Sequence, residues 1–108
     1  VDAHLLGLML RNLVDNAVKY APEASPIKIC LSAQASDWQL VVRSLVGAVG
    51  FPDSEQVFSK YYRAPLAMRR SGMGLGLYWV RGAALQLGGD ALYAREQDWV
   101  VFTLCFPK

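Results

Sequence analysis

The sequence predicts an α/β (α+β) two-layer sandwich, a mixed or antiparallel sheet packed against about three helices. Three observations carry that expectation. Residues 4–20 and 74–87 have helical apolar spacing. Four short β-type runs fall into two adjacent pairs, each joined by a few turn-forming residues. The 108 residues, 54% of them apolar, suffice for a single domain, residues 1–108, that buries roughly 65% of its unfolded surface.

Residues 4–20 are apolar at nearly every position except Arg11, Asn12, Asp15, Asn16 and Lys19, the pattern of a buried helix with one polar stripe. Pro22 and Pro26 end it. Ile27–Ala33 and residues 38–45 read as two strands turning at Gln34-Ala-Ser-Asp37, an antiparallel hairpin. Beyond a glycine-containing loop, residues 52–60 are expected to form a short helix capped by Asp53 or Ser54. Residues 63–72 lack periodicity and hold Pro65, Arg69 and Arg70, so a mobile loop is expected there. The helical spacing of residues 74–87 stops at Gly88-Gly89, as at a left-handed C-terminal cap. Residues 91–95 and 99–106 form a second strand pair turning at Glu96-Gln-Asp98. Trp38, Trp99, Phe102 and Phe106 lie in these strand patterns and are assigned to the core or sheet face.

Composition excludes several function classes. A net charge of +2 on scattered Lys and Arg argues against a nucleic-acid partner. No apolar run approaches the ~20 residues needed to span a bilayer, so no membrane contact is expected. Val1-Asp-Ala-His is not a signal peptide, and the chain is expected to be a fragment of a longer protein. Cys30 and Cys105 sit in β-type runs without metal-ligand spacing, which favours core packing in a reduced, cytosolic setting. His4, the sole histidine, reads as a helix-start residue.

Two constellations carry chemistry. Asn12, Asn16 and Lys19 fall at i, i+4 and i+7, on one side of the first helix. Two amides and an ammonium there suit a hydrated magnesium ion and phosphate oxygens, although a solvated stripe has the same pattern. Gly72-x-Gly74-x-Gly76 opens the later helix and offers unobstructed backbone amides to an anion. This is not a dinucleotide fingerprint, because the spacing differs and an Arg-containing loop precedes it in place of a strand.

Four ordered segments give the chain a family likeness over essentially its whole length. Asn12-Leu-Val-Asp-Asn16-Ala-Val-Lys19-Tyr20 resembles the N box of sensor histidine kinases, and Phe58-Ser-Lys-Tyr61-Tyr62-Arg63 their F box. Ser71-Gly72-Met-Gly74-Leu75-Gly76-Leu77 resembles the second glycine box, and Leu87-Gly88-Gly89 with two strands the C-terminal end.

The resemblance implies a Bergerat-type fold that binds Mg²⁺ and ATP. Asn16 would hold the ion, with Asn12 helping from one turn away. Lys19 and Arg63 would reach phosphates, and Tyr20 would border the nucleoside. Gly72, Gly74, Leu75 and Gly76 would cradle the phosphate tail, with residues 64–71 as the lid. Val46, Ala48 and Gly50 would line the base side. The γ-phosphoryl would pass to a histidine on the protein's own dimerisation domain and then to a response regulator. The domain would be cytoplasmic, in a bacterial sensor anchored to the inner membrane. No residue of this chain would be the phosphoacceptor.

The sequence departs from the family at its first glycine box, Asp-x-Gly-x-Gly-(Ile/Phe)-Pro. Aligning Gly50-Phe51-Pro52 to its end puts Val46 at the adenine-reading Asp and Ala48 at the first Gly. Sliding by one puts Leu45 at the Asp instead, and neither side chain can accept the bond. Leaving the adenine amino group buried and unpaired costs about 1–3 kcal/mol, roughly tenfold to hundredfold in affinity. The related ATPases use a helix glutamate to activate water, about one turn before the magnesium Asn. Asn12 stands in that area, and an amide is no general base, which favours transfer to a protein acceptor over hydrolysis. Two alternatives stay open: a degenerate pseudokinase acting as a regulatory or interaction module, and an anti-sigma-type serine kinase of the same fold.

Overall fold

A computed structural model of the chain describes residues 2–59 and 76–108. The expectations placed on residues 60–75 lie outside the described residues. In chain order the elements are helix α1 (Ala3–Tyr20), strands β1 (Ile27–Ala33) and β2 (Asp37–Leu45), helix α2 (Gly76–Gln86), and strands β3 (Asp90–Glu96) and β4 (Trp99–Pro107).

The four strands form one sheet in the order β1-β2-β4-β3, and every neighbouring pair is antiparallel. The mixed sheet in the expectation is therefore corrected. Both hairpins close on themselves, and β2 meets β4 in opposite directions, pairing Leu40 with Leu104 and Val42 with Phe102. The helix count is also corrected, to two among the described residues. Residues 54–58 form turns. Asp53 does cap this segment, because its side chain accepts from the Glu55 amide at 2.8 Å. Asp53 O also accepts from the Gln56 and Val57 amides at 3.1 and 2.9 Å. That is about one helical turn, too little for the cooperative gain that sustains a helix.

Helix α1 starts at Asp2, whose carboxylate accepts from the His4 and Leu5 amides at 2.9 and 3.1 Å. His4 thus occupies the first turn. Met9, Leu13 and Ala17 form the buried stripe at four-residue spacing, while Leu8 and Val18 are exposed. The helix is amphipathic and lies on the sheet, in place of the buried rod its composition predicts. Helix α2 buries Val80, Ala83 and Ala84. Its end is a Schellman cap, with the Gly89 amide donating to Ala84 O at 2.9 Å and the Gly88 amide to Leu85 O at 3.0 Å. Gly88 has φ +82°, which a glycine adopts without strain.

The core joins Met9, Leu13, Val80, Ala83 and Ala84 of the helices to Leu40, Val42, Ala91, Phe102, Leu104 and Phe106 of the sheet. Each large side chain buried there contributes about 1.5–3 kcal/mol. Phe102 and Phe106 are core, as expected, whereas Trp38 is 40% exposed and Trp99 half-buried. Lys108 lies 5.4 Å from the Trp38 ring and Lys28 4.8 Å from the Trp99 ring.

Cys30 overturns another expectation, because it is exposed on β1, the edge strand. Cys105, on inner strand β4, is half-buried. Burial there raises its thiol pKa, aided by the negative charges of Asp37 and Asp90. A thiol-alkylating reagent at pH 8 is therefore expected to modify Cys30 first and Cys105 several-fold more slowly. Peptide mapping of a timed alkylation reads this order, and equal rates would contradict it.

Gly89 lies so close to β4 that a Cβ there would overlap the Cys105 carbonyl oxygen. Gly89→Ala is expected to destabilise the fold by about 1–3 kcal/mol. Urea unfolding checks this, and a midpoint equal to the parent's would refute the packing account.

Candidate functional site

The candidate site lies where α1, the amino end of α2 and the loop after β2 approach one another. Asn12 and Asn16 are half-buried on the flank of α1 beside its core stripe. Asn12 donates from Nδ2 to the Leu8 carbonyl at 2.9 Å, which fixes its amide plane. Its Oδ1 faces α2, and a methyl group on Gly76 would lie 3.1 Å from it. The opening of α2 thus sits close against the amide face of α1, and a side chain at Gly76 would push on the Asn12 amide. Two segments sixty residues apart in sequence meet there.

Asn16 makes no side-chain hydrogen bond among the described residues. A half-buried amide that the protein leaves unengaged is available to an external partner. Lys19 is half-buried, with its ammonium 5.4 Å from the centre of the Tyr20 ring. Asp15, between the two asparagines, is mostly exposed and 3.9 Å from Arg11, outside this cluster.

The first-glycine-box loop is held at three points. The Val46 amide donates to Asp98 O in the β3–β4 turn at 2.8 Å. Gly47 packs against the carboxyl end of α1, where a Cβ would overlap the Tyr20 carbonyl oxygen. The Arg95 guanidinium lies 4.0 Å from the centre of the Phe51 ring. Between these points Gly47 and Gly50 close a turn, with the Gly50 amide donating to Gly47 O at 3.0 Å. Gly50 has φ +78°, so glycine is required there. Val46 is half-buried and Ala48 exposed.

Among the sequence-predicted residues, Asn12 and Gly76 are brought into contact distance. Asn16, Lys19 and Tyr20 continue the same end of α1 toward the loop of Val46, Ala48 and Gly50. Arg63, Gly72, Gly74 and Leu75 lie outside the described residues. Sequence reasoning missed Gly47, Arg95 and Ser44. Gly47 was visible only as a glycine beside a degenerate box, and nothing in a single sequence pairs Arg95 with Phe51 across 44 positions. Ser44 carried the best available signal, a hydroxyl on the strand face otherwise formed by Trp38, Leu40 and Val42.

The family described as "Histidine kinase-, DNA gyrase B-, and HSP90-like ATPase" matches residues 1–108. The chain belongs to this family. It is 31% identical over 107 residues to the sensor histidine kinase HprS of Escherichia coli, covering 99% of the chain and 24% of that protein. It is 29% identical over 110 residues to the sensor-like histidine kinase SenX3 of Mycolicibacterium smegmatis, covering 99% and 29%. The chain therefore spans less than a third of the length of either relative. Among solved structures, the nucleotide-free catalytic domain of histidine kinase ThkA superposes with a TM-score of 0.81 at 26% identity, covering 100% of the chain and 70% of that domain. The Bergerat-type fold implied by the resemblance is thus the observed one.

Within this histidine-kinase-like ATPase domain, the N box, Phe58 of the F box and Gly76 of the second glycine box lie among the described residues. The N-box helix provides the amide face, and Gly76 of the second glycine box opens α2 beside it. Phe58, from the F box, packs edge-on against core residue Phe102 at 6.0 Å between ring centroids. Among the described residues, no helix is long and apolar enough to cross a membrane.

Proposed function

We propose that this domain binds Mg·ATP and serves as the catalytic half of a sensor histidine kinase. It would pass the γ-phosphoryl to a histidine on the dimerisation domain of the same protein, ahead of a response regulator. The observation that supports this best is the meeting of Asn12 Oδ1 with Gly76, beside the unengaged amide of Asn16. That donor set fits a hydrated magnesium ion, which accepts amide oxygens while keeping most of its waters.

Asn16, helped by Asn12, would hold the magnesium ion, which would supply neutralisation of the charge developing on the phosphates during transfer. The chain's own residues orient and exclude. The Leu8–Asn12 hydrogen bond holds Asn12 with its oxygen toward α2, so its geometry is set before any ligand arrives. Asn16 offers its amide one turn further on. Lys19 adds a positive point charge to draw the phosphate tail, while the Tyr20 ring, held beside that ammonium, borders the nucleoside. Exposed backbone at the amino end of α2 adds a partial positive charge. Arg63, Gly72, Gly74 and Leu75 take the phosphate-contacting positions carried over from the family. No carboxylate replaces the water-activating glutamate at Asn12. The arrangement therefore favours positioning for transfer over hydrolysis.

One observation favours a second reading. The base side has half-buried Val46 where an acceptor would stand and Ala48 in place of a glycine, as a nucleotide-poor regulatory module would. Incubating the chain with Mg·ATP and the dimerisation domain of its parent protein separates the readings. Acid-labile, base-stable phosphate on the dimerisation domain supports the kinase. Its absence, with both components folded, supports the regulatory module.

A further inference from the structure

We propose that Ser44 reads the six-position of the purine ring through one ordered water, in the role that the missing acid leaves open; this rests on the nucleotide-binding reading above. Ser44 is 6% exposed and is the only buried polar or charged side chain among the described residues. Along β2 it continues the inward series Leu40, Val42, Ser44, so its hydroxyl points toward the helical layer. Its register neighbours on that face are Ile27 on β1 and Val100 on β4, and neither side chain can accept or donate a hydrogen bond. The hydroxyl makes no hydrogen bond within the described protein.

A hydroxyl so deeply buried without a partner is rare, because native structures satisfy such groups with protein, water or ligand. Its location selects the ligand. Ser44 is the penultimate residue of β2, immediately before the loop that Gly47 presses against the carboxyl end of α1. It lies two residues before Val46, about 6.6 Å along an extended strand. Two hydrogen bonds in series span roughly 5.6 Å. One water on the Ser44 hydroxyl therefore extends its reach to a base amino group roughly 5.6 Å away, comparable with the two-residue step to position 46. A hydroxyl and a water both donate and accept, so the contact supports an amino group at the six-position without an acid.

The test compares Mg·ADP with the Mg complex of purine ribonucleoside diphosphate, which lacks the six-amino group, in the parent chain and in Ser44→Ala. Calorimetry is expected to show the parent preferring Mg·ADP by about tenfold, the worth of one net hydrogen bond. The preference should fall to about one in Ser44→Ala, with unchanged affinity for the unsubstituted purine and a thermal stability equal to or above the parent's. An unaltered preference in Ser44→Ala overturns the proposal, as does equal binding of the two diphosphates by the parent. No binding of either diphosphate by the parent overturns the nucleotide reading itself and this proposal with it. Ser44→Thr, which keeps the hydroxyl, should retain the preference, and its loss there would also count against the role.

Discussion

Asn16→Ala is expected to weaken Mg·ADP binding by about tenfold to hundredfold, the range for losing hydrogen bonds to a charged group. The fold should not suffer. The Asn16 side chain makes no hydrogen bond among the described residues, and alanine is the better helix former by about 0.5 kcal/mol. The expected signature is a variant as stable as the parent, or slightly more so, that has lost its magnesium-dependent affinity. A merely structural asparagine would give the opposite pattern, with lower stability and unchanged binding. Calorimetric titration with and without magnesium, beside a thermal melt, distinguishes them. Asn12→Ala should be milder in binding and costlier in structure, because Asn12 also donates to the Leu8 carbonyl.

Val46→Asp is expected to raise nucleotide affinity by about tenfold, the gain of a direct charge-assisted contact over one made through water. The loop is already tied down by the Val46 amide to Asp98 O and by Gly47 against Tyr20, so a carboxylate at 46 would start from a fixed position. Replacing the half-buried valine forfeits about 1 kcal/mol of apolar burial, which a melt would register. A stable Val46→Asp variant with no gain would mean that residue 46 does not face the base. The double change Val46→Asp with Ser44→Ala adds information. If the acid restores a direct contact, removing the Ser44 hydroxyl should then cost little.

Much of this fold was legible in the sequence because its signals were local. β1 came out at its true bounds, since Pro26 and the Gln34–Asp37 turn close it on both sides. α2 ended where Gly88-Gly89 predicted, since a left-handed residue leaves a composition trace. Residues 52–60 misled because Asp53 caps a turn as readily as a helix, and only the turn formed. Cys30 misled for a different reason. Ile27–Ala33 has the composition of an inner strand, yet β1 is an edge whose helix-facing Ile29 and Leu31 remain 50% and 57% exposed. Strand order is a non-local property that no run of seven residues records.

The site divided in the same way. The N box and glycine run could be read because helical spacing and glycine punctuation are local. Their meeting at Asn12 and Gly76 was implied only by the family likeness. The constraint on Gly47 and the isolation of Ser44 depend on what packs across from them, α1's last carbonyl in one case and Ile27 and Val100 in the other. Neither partner is near in sequence.

On the proposed function, the amide face of α1 and the amino end of α2 form a magnesium-nucleotide site. An amide-detected NMR titration of the chain with Mg·ADP locates that site residue by residue. Saturable shifts are expected at Asn12, Asn16, Lys19, Tyr20 and Gly76, with smaller ones at Val46 and Gly47 and none at the far hairpin end around Ser36 and Asp37. No shifts at millimolar Mg·ADP in a folded sample, or shifts confined to residues away from α1 and Gly76, would contradict it.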